Sequence, residues 1–372
     1  MDATPMLRAD AVEGAGVRIR RFRTEDAPAV RAACDDPLTQ RFLPALPRPY
    51  TEADALWWVA EGSAAGFATG GGNFAVADPA TDRLIGGIGL MHIQEDYGSI
   101  GYWVAPGARG RGVATAATRT LSEYAFTCGY GRIELRTEFE NAASQRVALA
   151  AGYTREGVAR AAGPDRGGRR HDLIVWARVA GDPPGPTPRH LPDLPGGELT
   201  DGVVRLSPMR AADAAEVHPV RSAPDVVGNT VTGIAPGPED TARYCARAQA
   251  AWLADHDVRL TVRDAATGAF AGKVGLQLQD PQAGQAEIDY YLAPTWRGHG
   301  YAARAVNLLC GWAFTRTAVE RLVAGVHTAN LASQRVLERS GFVREGHERR
   351  RIPDGSGGRA DIYTYALLRP GV

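Results

Sequence analysis

The chain carries the same pattern twice, and this repeat limits its fold more than any other feature. The segment IGYWVAP, which begins at Ile100, matches IDYYLAP from Ile288 at an offset of 188 residues. Further on, NAASQRV from Asn141 matches NLASQRV from Asn330 at an offset of 189. A repeat of this length is a whole domain and not a solenoid unit. We therefore expect two tandem copies of one domain.

A proline-rich segment separates the two copies. Residues 181–199 hold six prolines and no helical periodicity. Proline has no amide donor and fixes φ, so an extended, semi-rigid linker is expected there. We predict a disordered N-terminus at 1–14, a first domain at 15–180, a linker at 181–199 and a second domain at 200–372.

Each copy shows the same order of strand and helix signals. Alternating, β-branched segments such as 84–91 and 270–278 predict antiparallel strands. After the strand ending in Ala-Pro, apolar residues recur at helical spacing: Ala114, Ala117, Leu121, Tyr124 and Ala125, matched by Ala302, Ala305, Leu309, Trp312 and Ala313. The expected fold is α/β, with one mixed (α+β) sheet in each copy.

Composition excludes several classes of protein. Lys+Arg and Asp+Glu are 42 each, and this zero net charge argues against a general nucleic-acid binder. No apolar run approaches the roughly 18–20 residues that span a bilayer, and the first residues do not resemble a signal peptide. The cysteines and histidines lack metal-ligand spacing. We expect a cytoplasmic protein with no membrane partner and no metal. Its oligomeric state stays open.

The strongest chemical signal is a glycine-rich turn that joins a strand to a helix in each copy. Glycine allows close approach of a ligand, and the first amides of a helix are unpaired and lie at the positive end of its dipole. Such a turn predicts a cradle for a pyrophosphate. Its residues are Arg109, Gly110, Arg111, Gly112, Val113 and Ala114 in the first copy, and Arg297, Gly298, His299, Gly300, Tyr301 and Ala302 in the second.

The R-x-x-G-x-A motif, followed by N-x-x-S-x-R-V, resembles the GCN5-related N-acetyltransferases (GNAT). The strand ending in Ala-Pro is most similar to their RimJ/RimL branch, and the resemblance covers nearly all of both halves. It implies a sheet whose strands before and after the cradle helix splay apart to admit the pantetheine arm of acetyl-CoA or another short acyl-CoA. It also implies direct acetyl transfer to an amine.

The resemblance further implies roles for single residues. Backbone groups of Trp103, Val104, Tyr291 and Leu292 would pair with the pantetheine. Asn141 and Asn330 would contact the pantetheine or a catalytic water, although either also makes sense as a helix cap. Ser144 and Ser333 would return a proton to the CoA thiolate, or be ordinary residues of the first helical turn.

The sequence offers several candidates for the group that deprotonates the amine. Attack needs a neutral amine, hence a carboxylate or a water chain. The glutamate expected in RimL-type enzymes nineteen residues after the serine is missing, because Gly163 and Ile352 stand there. Glu287 and Asp289 lie two apart, on one face of a strand, where they are catalytic candidates or solvated side chains. Other candidates are Glu138 and Glu140. The first copy has Ser99 and Gly101 where the second has Glu287 and Asp289, and this difference favours the second half as the catalyst.

The sequence thus predicts an N-acetyltransferase whose acceptor is a primary amine of a small molecule. A protein or peptide N-terminus, as in RimJ/RimL-type enzymes, is the alternative acceptor. A CoA-binding module without catalysis is the alternative from another functional class.

Overall fold

The computed structural model describes residues 5–230, 232–353 and 358–371. The chain divides into two compact units, Met1–Pro188 and Arg189–Val372, and the division falls within the segment expected to be a linker. No helix in the described ranges is long and apolar enough to cross a membrane.

The first unit contains the strands and helices of one sheet. The strands are β1 (Ala11–Gly14), β2 (Val17–Arg20), β3 (Gly72–Ala77), β4 (Leu84–Gln94), β5 (Tyr97–Val104), β6 (Arg132–Thr137), β7 (Thr154–Pro164) and β8 (Arg170–Val179). The helices are α1 (Ala27–Cys34), α2 (Pro37–Phe42), α3 (Glu52–Trp57), α4 (Val113–Thr127) and α5 (Ala142–Ala150).

The second unit repeats this order with small differences among its early helices. Its strands are β9 (Leu199–Thr200), β10 (Val204–Pro208), β11 (Asp257–Asp264), β12 (Phe270–Asp280), β13 (Gln285–Leu292), β14 (Arg321–His327), β15 (Val343–Pro353) and β16 (Arg359–Leu368). Its helices are α6 (Ala214–Arg221), α7 (Pro224–Val227), α8 (Pro238–Ala246), α9 (Ala248–Leu253), α10 (Tyr301–Arg316) and α11 (Leu331–Arg339).

Both sheets have the same topology. Over the described residues each is eight-stranded, in the order β1-β2-β3-β4-β5-β6-β8-β7 and, equivalently, β9-β10-β11-β12-β13-β14-β16-β15. Neighbouring strands are antiparallel except for β5 with β6 and β13 with β14, which are parallel. The mixed sheet expected from the sequence is therefore confirmed in both units.

The long helix of each unit packs on one face of its sheet. Ala117, Leu121 and Ala125 of α4 are buried, as the helical periodicity predicts. In α10 the corresponding stripe joins a core with β12 and β13, which includes Ala305, Leu309, Trp312, Ala313, Leu276 and Ile288. The other sheet face points away from α4 and α5, or from α10 and α11, and is called the far face below.

The N-terminal segment is ordered where disorder was expected. Ala11–Gly14 pairs with Val17–Arg20 as a hairpin around Ala15 and Gly16, which both have positive φ. Leu7 is buried, and its amide donates to Gly70 O at 2.9 Å. The expectation of disorder therefore does not hold for residues 5–14, while residues 1–4 lie outside the described residues.

The second half of the expected linker is packed rather than free. Leu191 and Leu194 belong to the core of the second unit. The indole Nε1 of Trp252 donates to Leu191 O at 2.9 Å, and Asp255 accepts from the amides of His190 and Leu191. These contacts depend on leucines that the proline content of the segment obscured.

Candidate active site

A split between two parallel strands opens each sheet. In the first unit, β5 pairs with β6 only from Tyr97 to Ile100, so residues 101–104 have no partner on β6. In the second unit, β13 pairs with β14 only from Gln285 to Glu287, which leaves 288–292 free on that side. The splayed strands expected from the family resemblance are present in both units.

The turn before the long helix forms an open cradle beside each split. Gly112 and Gly300 immediately precede α4 and α10 in the left-handed conformation, with φ of 78° and 80°. A Cβ placed on Gly110, Gly112, Gly298 or Gly300 would meet nothing within 4 Å among the described atoms. The turn before each long helix is thus open beside its glycines, which fits the approach of a pyrophosphate to the first helical amides.

The space beside the first cradle is a cavity of about 430 Å³. Arg111, Gly112 and Val113 line it, together with Asp78 and Arg119. Its two guanidinium groups and the helix N-terminus favour an anionic ligand, although Asp78 opposes this in part.

Two contacts cross the corresponding space in the second unit. Tyr301 stands where the first unit has Val113, and its hydroxyl donates to Asp264 Oδ2 at 2.6 Å. This hydrogen bond, with those from Thr267, lowers the pKa of Asp264 to about 2. Arg304 also pairs with Asp201 at 2.7 Å. The two cradles therefore share a backbone but differ in their side chains.

The first arginine of each cradle motif is already engaged. Arg109 Nε donates to Val104 O at 3.2 Å, and its guanidinium also pairs with Asp36, whose pKa is lowered by that hydrogen bond. Arg297 Nε donates to Leu292 O at 3.1 Å and pairs with Asp225. Both guanidinium groups thus hold the strand end in place, and phosphate binding by them stays a prediction.

At the end of β5 and of β13, the backbone N–H and C=O groups of successive residues point alternately to the neighbouring strand and to the split. The amide of Ala105 donates to Ile85 O on β4, so the backbone of Trp103 also faces β4 and that of Val104 faces the split. The amide of Ala293 donates to Ala271 O, which likewise turns Leu292 toward the split and Tyr291 toward β12. Of the four residues predicted to pair with a pantetheine, Val104 and Leu292 turn their amides to the open edge, while their carbonyl oxygens already accept from the cradle arginines.

The Asn and Ser that occur in both copies lie together at the start of α5 and α11. Asn141 Oδ1 accepts from the Ser144 amide at 3.1 Å, and Asn330 Oδ1 from the Ser333 amide at 3.0 Å. Both asparagines are therefore N-caps, one of the two alternatives for these residues.

Each serine hydroxyl is paired with a tyrosine to which the sequence pattern assigned no role. Ser144 Oγ lies 2.7 Å from the hydroxyl of Tyr102, and Ser333 Oγ lies 2.7 Å from that of Tyr290. Burial raises the pKa of Tyr102, and it raises the pKa of Tyr290 to about 12. Both tyrosine hydroxyls thus stay protonated at neutral pH, and either partner of each pair can donate the hydrogen bond. Their identical place in the two copies was the available signal.

Glu287 and Asp289 lie on the far face of the second sheet, on the side opposite to Tyr290 and Ser333. Glu287 Oε2 accepts from Gln279 Nε2 at 2.6 Å, and burial together with the charge of Asp289 raises the pKa of Glu287. Asp289 is paired with Lys273, whose side chain is only 3% exposed. Of the two predicted carboxylates, Asp289 is thus neutralised by a lysine, while Glu287 has a neutral partner.

The register brings a third carboxylate and a histidine to this far face. His327 and Glu348 both lie opposite Ile362, in one row across the sheet. His327 Nε2 is buried and has no hydrogen-bond partner among the described residues, and the same is true of the Tyr291 hydroxyl. His327 was missed because a single histidine at a strand end has no motif around it.

The first unit has Glu138 at the position of His327. Glu138 pairs with Arg41 at 3.0 Å and lies 3.6 Å from His171 Nε2. Glu140, the other glutamate considered there, is exposed. Glu138 therefore lies at the end of the split strand, whereas Glu140 belongs to the turn that follows it.

The family follows from a comparison with known domains. The family model described as acetyltransferase (GNAT) domain matches residues 17–154 and again 204–343. The chain belongs to the GNAT acetyltransferase family. Its two copies of the domain are thereby confirmed.

Individual relatives match a quarter of the chain or a little more or less. The probable N-acetyltransferase YjcK of Bacillus subtilis (strain 168) is 37% identical over 83 residues, which are 22% of this chain and 45% of that protein. The chain spans about half the length of the curated relatives it matches.

Two solved structures align with just under half of the chain. Mycobacterium smegmatis RimJ, in complex with a CoA disulfide, is 24% identical over 46% of this chain and 86% of its own, with a TM-score of 0.42. The spermidine N-acetyltransferase of Vibrio cholerae, in complex with CoA and spermine, is 19% identical over 45% and 97%, also with a TM-score of 0.42.

Proposed function

We propose that the protein transfers the acetyl group of acetyl-CoA directly to the primary amine of a small molecule, chiefly at the split of the second unit. The observation that supports this most is the Glu287 carboxylate, which is half-buried, accepts from a neutral partner and has the acidic Asp289 as its strongest charged neighbour, with Arg351 opposing it in part. A protonated amine would be attracted to that carboxylate. The raised pKa of Glu287 also brings it closer to neutrality, where a proton acceptor is most effective.

In this proposal the two proton transfers take place on opposite faces of the second sheet. Bound acetyl-CoA would supply an acyl thioester, with its pyrophosphate at the cradle of Gly298 and Gly300 and its arm along the open edge at Leu292. On the far face, Glu287 would accept the proton that the amine must lose before attack. On the other face, Ser333, bonded to Tyr290, would return a proton to the departing thiolate.

A screen of acceptors tests the proposal. The full chain is incubated with acetyl-CoA and, separately, with diamines, arylalkylamines and peptides with free N-termini, and the products are weighed by mass spectrometry. We expect one added acetyl group on small amines, and loss of that activity toward diamines in Glu287→Gln. Ser99→Ala, the matched change in the first unit, serves as the control. Acetylation of peptides alone would refute a small-molecule acceptor, and acetylation of none would leave a CoA-binding module.

A further inference from the structure

We propose that the first unit has an acceptor site of its own, for a primary amine carried on an uncharged, apolar group, whereas the second unit accepts a cationic amine. This inference rests on the proposed acetyl transfer and extends it to a second substrate class. It follows from a comparison of matched positions on the two far faces.

At two matched positions, the first sheet has glycines where the second sheet has an ion pair. Gly87 lies opposite Trp103 on the first sheet, as Lys273 lies opposite Tyr291 on the second. By the same register, Gly101 corresponds to Asp289. The second far face therefore carries a lysine–aspartate pair where the first has no side chains.

Apolar side chains occupy the space above the two glycines. A Cβ on Gly87 would lie 2.7 Å from Cε2 of the Trp103 indole, and a Cβ on Gly101 would lie 2.7 Å from the Met91 methyl group. Met91 is 37% exposed, so this floor is accessible. An aromatic or aliphatic group placed against Trp103 and Met91 would bury apolar surface on both molecules, which favours its binding.

The rest of the first far face is apolar or internally neutralised. The row that holds Glu348 and Ile362 in the second unit holds Ala159 and Leu173 in the first. Glu134 is paired with Arg136 at 2.5 Å.

The charge on the two faces therefore differs. Glu138 is paired with Arg41 at 3.0 Å, whereas Glu287 accepts from the uncharged Gln279. A second ammonium on the acceptor would find Glu287 in the second unit, although Arg351 weakens that attraction, whereas the two glutamates described above on the first far face are both paired with arginines. A cation loses favourable hydration free energy when it enters a site that has no available carboxylate. The first unit would therefore disfavour an acceptor with a second ammonium group.

The first unit nevertheless has the groups that transfer requires. Its cradle glycines are left-handed and unobstructed, its strands split after Ile100, and Ser144 is bonded to Tyr102. Glu138, at the end of the split strand, is the nearest counterpart of the proton acceptor. Nothing in these features marks the first unit as a scaffold.

The test adds a carboxylate to the first far face and removes one from the second, each by a single substitution. Met91 corresponds to Gln277, which lies directly opposite Glu287, and Met and Glu are similar in size. Met91→Glu therefore adds a carboxylate to the first far face, and Glu287→Met removes one from the second. The kcat/KM for putrescine and for phenethylamine is measured in the full chain and in both variants, and thermal unfolding verifies the fold. If Met91→Glu unfolds, Met91→Gln replaces it; this change removes the apolar floor without adding a charge, and should lower kcat/KM for phenethylamine alone.

We expect the native chain to acetylate both amines. Glu287→Met should lower the putrescine-to-phenethylamine ratio about 100-fold, and Met91→Glu should raise it about tenfold. If Glu287→Met removed both activities together and Met91→Glu or Met91→Gln affected neither, a single acceptor site would be shown and this inference would be wrong, while the proposed function would stand. If neither amine were acetylated by the native chain, the proposed function would fail and this inference with it.

Discussion

The two units agree where the backbone decides the chemistry and differ where side chains decide it. Both keep left-handed glycines before the long helix, an asparagine cap, and a serine bonded to a tyrosine. On the far face, however, Gly87 and Gly101 of one unit become Lys273 and Asp289 of the other. The duplication has thus preserved the features to which we assign CoA binding and proton return, and has changed the surface that the proposed acceptor would touch.

The largest effect should come from the cradle glycines, because they test whether both units bind CoA. Arg at Gly112 or Gly300 would need a φ near 80°, a strain of about 1–3 kcal/mol, and would place its side chain in the free space. Calorimetric titration with acetyl-CoA should give two sites per native chain and one in Gly112→Arg or Gly300→Arg. A single site in the native chain would show that one unit has become a scaffold.

The next effect concerns the carboxylate that distinguishes the units. Glu287→Gln should lower kcat for a cationic amine about 100-fold, because proton acceptance by a positioned side chain contributes at least that much. The raised pKa of Glu287 means that the native rate should fall as pH drops through a value above the usual range of glutamate. The variant should lose this acidic limb. A native profile without it would exclude Glu287 as the proton acceptor.

A smaller effect is expected where the units are alike. Ser333→Ala and Ser144→Ala should each lower kcat about tenfold for the acceptor of its own unit, the kinetic equivalent of about 1.4 kcal/mol. The tyrosine left in place still offers a hydroxyl, which limits the loss. Single-turnover measurements with each amine would check this. A fall in kcat for both acceptors from one variant would contradict two independent sites.

Local sequence signals predicted the features that depend on them. The turn glycines, the Asn141 and Asn330 caps and the buried stripe of α4 follow from propensity and periodicity within one segment. The ordered hairpin at Ala11–Gly14 was missed because so short a strand is stabilised by its pairing with Val17–Arg20 and not by composition.

Features that depend on register were less accessible. Glu287 and Asp289 were correctly placed on one face, since period two needs only one strand. The partner of Asp289, however, is Lys273 on the next strand, and the row joining His327 to Glu348 crosses three strands. Pairings of that kind depend on sheet order, which no local pattern contains.

The smallest expected effect is on the free energy of unfolding and concerns the Lys273–Asp289 pair of the second unit. Lys273 is almost fully buried, whereas the Asp289 side chain is 64% exposed. Asp289→Asn leaves the ammonium without its charged partner and should cost about 1–2 kcal/mol, at the low end for such pairs because Asp289 meets solvent. Lys273→Met leaves only an exposed carboxylate and should cost less. Thermal unfolding of both variants would reveal this asymmetry as a difference of several degrees.

The same pair predicts how stability depends on pH. Burial lowers the pKa of Lys273, but the charges of Asp289, Tyr244 and Asp257 outweigh burial, so the pKa is raised overall. A raised lysine pKa contributes stability that is fully present below the unfolded pKa and is lost as pH rises through the folded one. The native chain should therefore lose stability in the alkaline range more steeply than Lys273→Met. Equal slopes would mean that the pair positions Asp289 on the acceptor side without stabilising the fold.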